Sequence, residues 1–131
     1  MTKKKEYPGI NIQWPYSELI LQGVKTIETR TYPIPEKYIG KEMVLIETPG
    51  KQNRFKARIR GLIVFHSCYV YSSEASFYLD IERHHVVRNS DWAWQDKLPK
   101  WAWELRVIEI FNPPRHLYKR QGIIYTRDVA V

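Results

Sequence analysis

The segment from residue 54 to residue 60 alternates strictly between basic and apolar side chains. The basic residues are Arg54, Lys56, Arg58 and Arg60, and the apolar ones are Phe55, Ala57 and Ile59. A period of two residues is typical of a strand that is buried on one face only. The four cations would then share the other face and repel one another, unless a bound polyanion or carboxylates of a neighbouring strand offset their charge. This pattern predicts a β-rich fold with a basic strand face, and both kinds of partner for that face stay open.

Short apolar runs separated by Gly and Pro extend the same prediction along the chain. Strands are predicted over residues 9–13, 26–32, 43–48, 54–60, 62–71, 101–111 and 122–126. Helices are predicted over residues 15–22, ended by Gly23, and from Ser72 or Ser73 to about His84. Gly61 predicts a bend, and a slip of the apolar phase near Val107 predicts a β-bulge. We therefore expect an α+β domain, a small curved β-barrel of about five to six strands with helices packed outside.

The chain length and the distribution of charge favour a single basic domain that binds a polyanion. The chain has 131 residues, and we expect a basic tail over residues 1–7 and one domain over residues 8–131. Residues 1–60 hold 12 Lys and Arg against 6 Asp and Glu, whereas residues 61–131 hold 9 against 8. A one-sided basic field attracts nucleic acid. The single cysteine, Cys68, and the lack of a long apolar run favour a cytoplasmic protein that does not enter a membrane.

Residues 13–30 carry the most specific pattern, QWPYSELILQGVKTIETR. This stretch resembles the ASCH domain family within the PUA-like fold, whose members open with a strand, a Q-P-W turn, a helix and a G-x-K-x-x-E-x-R segment. The four positions of that segment are matched here by Gly23, Lys25, Glu28 and Arg30. Trp14 and Pro15 stand in the reverse of the family order. Residues 41–47 and 103–122 resemble later family elements, so the likeness covers most of the chain, although only residues 13–30 are specific.

The resemblance implies that RNA or a nucleotide binds in a cleft beside the G-x-K-x-x-E-x-R segment. It also implies a possible hydrolase, because one branch of the family removes the acyl group from acetylated cytidine with a lysine, a threonine and a glutamate, and other members are described as ribonucleases. The threonine of that branch lies three residues after the lysine, where this chain has Glu28, and Thr26 and Thr29 are out of register. The family's acid would come from the middle helix, where Asp80 and Glu82 are both candidates.

The residues of this segment also form a plausible site by their own chemistry. Lys25 follows a predicted helix end, where the helix dipole favours a cation. Thr26, Glu28 and Arg30 would share one strand face, and the planar fork of Arg30 suits phosphate or a base edge. The candidate catalytic residues are thus Lys25, Thr26, Glu28 and Glu82. The alternative is a solvated ladder of ion pairs.

Aromatic residues supply candidate stacking surfaces for bases. Trp14 and Tyr16 adjoin the segment, and Trp92 and Trp94 lie in a stretch predicted to be irregular. The candidate nucleic-acid-binding residues are Trp14, Tyr16, Lys25, Arg30, Arg54, Lys56, Arg58, Arg60, Trp92 and Trp94. The tryptophans of the loop could instead wedge it onto the fold.

The cysteine and the histidines show no spacing typical of a metal site, so neither a metal nor a cofactor is expected. His84 and His85 are expected to be surface or capping residues rather than an acid–base pair. Three functions stay open: an RNA- or nucleotide-binding domain, a hydrolase of the same fold acting on a modified nucleoside or on single-stranded RNA, and a protein-interaction module that uses exposed tryptophans.

Overall fold

A computed structural model describes residues 5–118 and 124–131 of the chain. It contains three short helices, α1 (Tyr16–Leu21), α2 (Glu74–Leu79) and α3 (Ile81–His84), and two 3₁₀ turns, Glu36–Tyr38 and Gly50–Gln52. The strands are β1 (Glu6–Gln13), β2 (Ile27–Arg30), β3 (Glu42–Thr48), β4 (Arg58–Val70), β5 (Trp101–His116) and β6 (Tyr125–Ala130). No helix among these residues is long and apolar enough to cross a membrane.

The strands form one mixed sheet in the order β2-β5-β4-β3-β1-β6. Only β1 and β3 run parallel, and the other neighbours are antiparallel. The α+β class and the number of strands are as predicted, but the predicted closure into a barrel is wrong, because β2 and β6 remain edges. Where the short strand β2 faces β1, a side chain spans the gap: Arg30 Nη2 donates to the Asn11 backbone oxygen at 3.3 Å. The open seam that results forms part of the cleft described below.

Both faces of the central strand β3 are buried, which explains its continuous apolar run. Met43 and Leu45 pack with Trp103 and with α1, whereas Val44 and Ile46 pack with Ile59 and other residues on the opposite side. A third apolar cluster, built around Phe77, joins α2 and the loop after α3 to β2 and β5. Trp103 of β5 is fully buried in this core, and Trp101 is partly buried against it.

The predicted bend and bulge are both confirmed in the β3–β4–β5 ladder. Leu62 pairs with Glu109 but Ile63 pairs with Val107, so Ile108 is the extra residue of a bulge. The register also shifts beside Gly61, where an added Cβ would lie 2.3 Å from the backbone oxygen of Glu109. Because glycine permits this close approach, β4 continues through residue 61 as one strand.

Several predicted boundaries differ from the structure. β4 starts at Arg58, so the strand predicted over residues 54–60 is wrong for residues 54–57. β5 continues past Pro113 and Pro114 to His116, since residues 111–114 have no partner in β4 and need no amide donor there. The predicted middle helix is broken at Asp80, although Ser73 caps it as expected. β1 begins at Glu6, inside the expected tail, and residues 1–4 and 119–123, including Gly122 of the last predicted strand, lie outside the described residues.

Candidate functional site

A cleft of about 550 Å³ lies beside the segment that the sequence singled out. One wall is formed by β2 and the residues after it, and the other by the end of β1 and by Thr48 to Gly50. The loop after α3 contributes Val86 and Trp92, and Lys100 comes from just before β5. Lys25, Glu28 and Arg30 therefore line one cleft, whereas Thr26 does not.

Glu28 lies between two cations on the floor of the cleft. Its Oε1 is 3.6 Å from Lys25 Nζ, and its Oε2 accepts from Arg30 Nη2 at 3.0 Å. The carboxylate side chain is only 11% exposed. Because all three side chains are largely buried and interact with one another, they form a connected network rather than a solvated ladder.

Lys25 lies behind the floor rather than at its surface, since its side chain is 0% exposed. Its ammonium donates to the His84 backbone oxygen and lies 5.2 Å from the centre of the Tyr16 ring. Burial lowers the pKa of Lys25, Glu28 opposes that shift, and Arg30 adds to it. Lys25 thus lies beneath the floor of the cleft, whereas the side chains of Glu28 and Arg30 are partly exposed and line it.

Lys100 is a cleft residue that sequence reasoning missed. It is buried, and its Nζ donates to the Trp92 backbone oxygen at 2.7 Å, which holds the loop against the cleft. Burial lowers the pKa of Lys100, and the nearby Glu28 opposes this. No local pattern marks Lys100, because its place depends on the path of a loop predicted only to be irregular. Tyr32 is a second cleft residue that was not predicted. It could have been, since it lies two residues after Arg30 and continues the period-two pattern of Glu28 and Arg30.

The charged side chains among the described residues that line the cleft are three cations and one carboxylate. They are Lys25, Arg30, Lys100 and Glu28, with a formal sum of +2 when each carries its usual charge. A concave site with an excess of positive charge attracts anions and concentrates them.

The two loop tryptophans have different places. Trp92 lines the cleft and is 48% exposed. Trp94 packs against the Phe77 cluster, its backbone N–H donates to the Tyr78 hydroxyl, and its indole N–H donates to Asp96. Tyr16 lines the cleft, whereas Trp14 is half-buried outside its lining. The two alternatives for these tryptophans therefore apply to one residue each. Trp92 faces the cleft, whereas Trp94 wedges the loop onto the fold.

The other catalytic candidates lie outside the cleft lining. Thr26 is exposed and precedes β2, so the alternation of the strand does not apply to it. Glu82 is exposed on α3. Asp80 accepts hydrogen bonds from Tyr69, Tyr71 and Arg83, which lower its pKa against the effect of burial. This cluster surrounds a shallow depression elsewhere on the surface and ties α3 to the sheet.

The four cations of the alternating segment, residues 54–60, divide into two pairs. Arg58 and Arg60 both donate to the fully buried Glu47, and Arg60 also pairs with Glu18 of α1 at 3.0 Å. Ser17 completes this network with a 2.7 Å hydrogen bond to Glu47. Carboxylates of neighbouring elements therefore offset this pair, as one of the two alternatives predicted. Arg54 and Lys56 are exposed and form no ion pair within the part of the chain that the structure describes.

Within residues 5–118 and 124–131, no group of three or more His, Cys, Asp or Glu side chains is arranged to hold a metal ion. No protein-family model matches this chain, and no curated protein matches it either.

Proposed function

We propose that this chain is an RNA- or nucleotide-binding domain of the ASCH type, with its ligand in the cleft around Glu28. The observation that carries the proposal is a buried carboxylate held between Lys25 and Arg30 on the floor of a cleft whose loop presents Trp92. A carboxylate accepts from the amino groups of bases, and Arg30 and Lys100 suit phosphate. Trp92 offers a face on which a base stacks. The resemblance at residues 13–30 agrees with this reading.

The matched pair of tryptophans tests the proposal. Binding of a fluorescent single-stranded RNA would be measured over a salt series for the wild type, Trp92→Ala and Trp94→Ala, with urea unfolding to confirm that each variant is folded. We expect Trp92→Ala to weaken binding about tenfold, since stacking contributes roughly 1–3 kcal/mol per base. The folded fraction of Trp94→Ala should bind like the wild type.

Binding should also weaken as salt rises, because cation–phosphate contacts release counterions. Absence of binding to any RNA or nucleoside, or equal losses in both tryptophan variants at equal folded fraction, would contradict the proposal. Binding of a protein partner alone would point instead to an interaction module.

A second candidate is a hydrolase of the same fold, favoured by one observation. The lowered pKa of Lys25, 3.6 Å from a carboxylate, provides a pair that can exchange a proton. Thr29 lines the same cleft. Incubation with RNA and with N4-acetylcytidine, followed by gel and chromatographic analysis, tests this candidate. Product formed by the wild type and lost in Lys25→Met would support it, and no product from pure folded protein would exclude these two reactions.

A further inference from the structure

Two stretches of the chain that contain no acidic residue meet at one end of the sheet. Residues 48–73 hold five Lys and Arg without any Asp or Glu, and residues 110–127 hold four, of which Lys119 and Arg120 lie outside the described residues. The pairing of β4 with β5 joins the two stretches, since Arg58 lies opposite His116 and Ile59 lies opposite Arg115. A basic region therefore forms where β4 begins and β5 ends.

The same end of the sheet forms one wall of the cleft. Thr48, at the end of β3, pairs with Gln13, at the end of β1, and both residues line the cleft. Glu47 precedes Thr48 and pairs with Arg58, which in turn pairs with His116. Because adjacent strands are about 4.8 Å apart, β3 at the cleft and β5 at the basic region are separated by roughly 10 Å.

Three cations of this region have no carboxylate partner. Arg54, Lys56 and Arg115 are exposed, and none of them forms an ion pair with another described residue. The carboxylates beside the region are already occupied by other cations: Glu47 by Arg58 and Arg60, Glu18 by Arg60, and Asp91 by Lys51. Arg54, Lys56 and Arg115 are thus the cations left to attract an anion.

Aromatic rings lie among these cations. The Arg115 guanidinium lies 3.9 Å from the centre of the Phe111 ring, a contact that orients its planar set of N–H donors. Tyr118 is 82% exposed, and its ring meets the His116 ring edge-on at 4.6 Å between centroids. An exposed ring beside cations offers a surface on which an unpaired base stacks.

This combination narrows the kind of polyanion that fits. Cations alone suit any anionic surface, including a duplex or a membrane. An exposed aromatic ring adds a stacking contact that single-stranded nucleic acid can use, since its bases are free to leave one another and stack on protein side chains. Single-stranded nucleic acid therefore uses both kinds of group at this end of the sheet.

We propose that the region around Arg54, Lys56, Arg115 and Tyr118 is a second contact surface, one that binds single-stranded nucleic acid. The three cations contact its phosphates, and Tyr118 stacks on one of its bases. That the same strand also places a nucleotide in the cleft rests on the proposed function, but the surface itself does not. A strand of several nucleotides would contact both places, so affinity should rise with length.

Calorimetric titration of the whole chain with ligands of increasing length tests this surface. The ligands are the four ribonucleoside monophosphates, and a tetramer and a dodecamer of single-stranded RNA of mixed sequence. The proteins are the wild type, Arg115→Ala, Tyr118→Ala and the control Arg106→Ala, with Trp92→Ala to report on the cleft. Arg106 is also exposed on β5, but it lies opposite Val64, away from the basic region. Urea unfolding would confirm that each variant folds.

The dodecamer is expected to bind at least tenfold more tightly than any mononucleotide. Tyr118→Ala should weaken binding of the dodecamer about tenfold, the loss expected when one base no longer stacks. Arg115→Ala should reduce the slope of log affinity against log salt by about 0.7, the value for one phosphate contact on a single strand. Arg106→Ala should keep the wild-type affinity and slope, and neither test variant should change the affinity for mononucleotides.

The proposal requires both effects. If Arg115→Ala or Tyr118→Ala binds the dodecamer as Arg106→Ala does, or weakens mononucleotide binding equally, the surface is overturned, while binding that depends on Trp92 keeps the proposed function.

The opposite failure is also distinguishable. If the dodecamer binds and depends on Arg115 and Tyr118, whereas mononucleotides do not bind and Trp92→Ala has no effect, the surface stands and the proposed function is wrong. Absence of binding to every RNA ligand would overturn both, and binding to vesicles of anionic phospholipid in that case would assign the basic region to a membrane.

Discussion

At the scale of single residues, His84 connects the middle helices to the floor of the cleft without lining the cleft itself. Its Nδ1 accepts from the Val86 N–H at 2.9 Å, so its Nε2 carries the proton and donates to the Phe77 oxygen at 2.7 Å. Its ring stacks on Phe77 at 4.2 Å between centroids, and its backbone oxygen accepts from Lys25. The expectation of a surface or capping residue is wrong for His84, which is fully buried. His85 does end α3, in a left-handed conformation.

Burial lowers the pKa of His84 to about 4, with a smaller contribution from Lys25, while the bond to Phe77 opposes the shift. Between about pH 4 and the ordinary histidine value near 6.5, the unfolded chain binds the proton and the folded chain does not. The stabilisation is therefore complete above about pH 6.5 and is lost as the pH falls to about 4.

We predict that, as the pH falls from 7 to 4, proton uptake linked to His84 lowers the free energy of unfolding by up to roughly 3 kcal/mol. His84→Gln should lack that part of the pH dependence, as measured by urea unfolding at a series of pH values. His66→Gln, at an exposed position, is the control and should keep the wild-type slope. Equal slopes for His84→Gln and the wild type would show that His84 does not titrate in this way.

At the scale of elements, the antiparallel pair of β4 and β5 contains most of the irregularities of the sheet. The register between these strands shifts at three places, beside Gly61, Leu62 and Phe65. Each shift bends the ladder and increases its local twist, and at Gly61 the two backbones come too close for any side chain. The sheet nevertheless does not close, since β2 and β6 remain its edges.

Gly61→Ala is therefore expected to lower the free energy of unfolding by about 3 kcal/mol, because the β5 backbone would have to move to admit the new Cβ. Gly23→Ala is the matched comparison. Gly23 has φ +75° but open space around its Cβ position, so only the cost of a left-handed backbone applies, about 1 kcal/mol. Equal losses in the two variants under urea unfolding would contradict a close approach at Gly61.

At the scale of the whole molecule, the net charge of +7 overstates the positive surface offered to a polyanion. Arg58 and Arg60 hold α1 on the sheet through Glu47 and Glu18, and Arg30 is bound to Glu28. Arg54 and Lys56, by contrast, follow the 3₁₀ turn whose Gly50 lines the cleft, and both are exposed. These two exposed cations are therefore the members of the basic segment that stay available to a polyanion.

If RNA binds as proposed, the double variant Arg54→Ala/Lys56→Ala should reduce the slope of log affinity against log salt by about 1.4. Its free energy of unfolding should stay at the wild-type value. Arg60→Ala should do the reverse: it should leave the slope unchanged and lower the free energy of unfolding by about 3 kcal/mol, since it removes a partner of the buried Glu47. A lower slope in Arg60→Ala but not in the double variant would reverse the roles assigned to the two pairs.

Much of this molecule was predictable from the sequence by itself, because many of its features depend on residues close together in the chain. The end of α1 at Gly23, the cap at Ser73 and the bulge near Val107 each follow from a local pattern. The meeting of Lys25, Glu28 and Arg30 has the same origin, since one turn and one short strand place all three.

The tertiary structure decided what depends on residues far apart in the chain. Glu47 pairs with Arg58 and Arg60 because β3 lies beside β4, and no pattern within either strand records that choice. Lys100 and Ile124 reach the cleft from two separate segments, and the His84 oxygen reaches Lys25 from a third. Whether the sheet closes depends on the sum of several small bends, which local periodicity does not measure. The sequence alone thus determined the strands and the proximity of Lys25, Glu28 and Arg30. The packing of distant elements determined the open seam, the burial of Lys25 and which cations of residues 54–60 are paired.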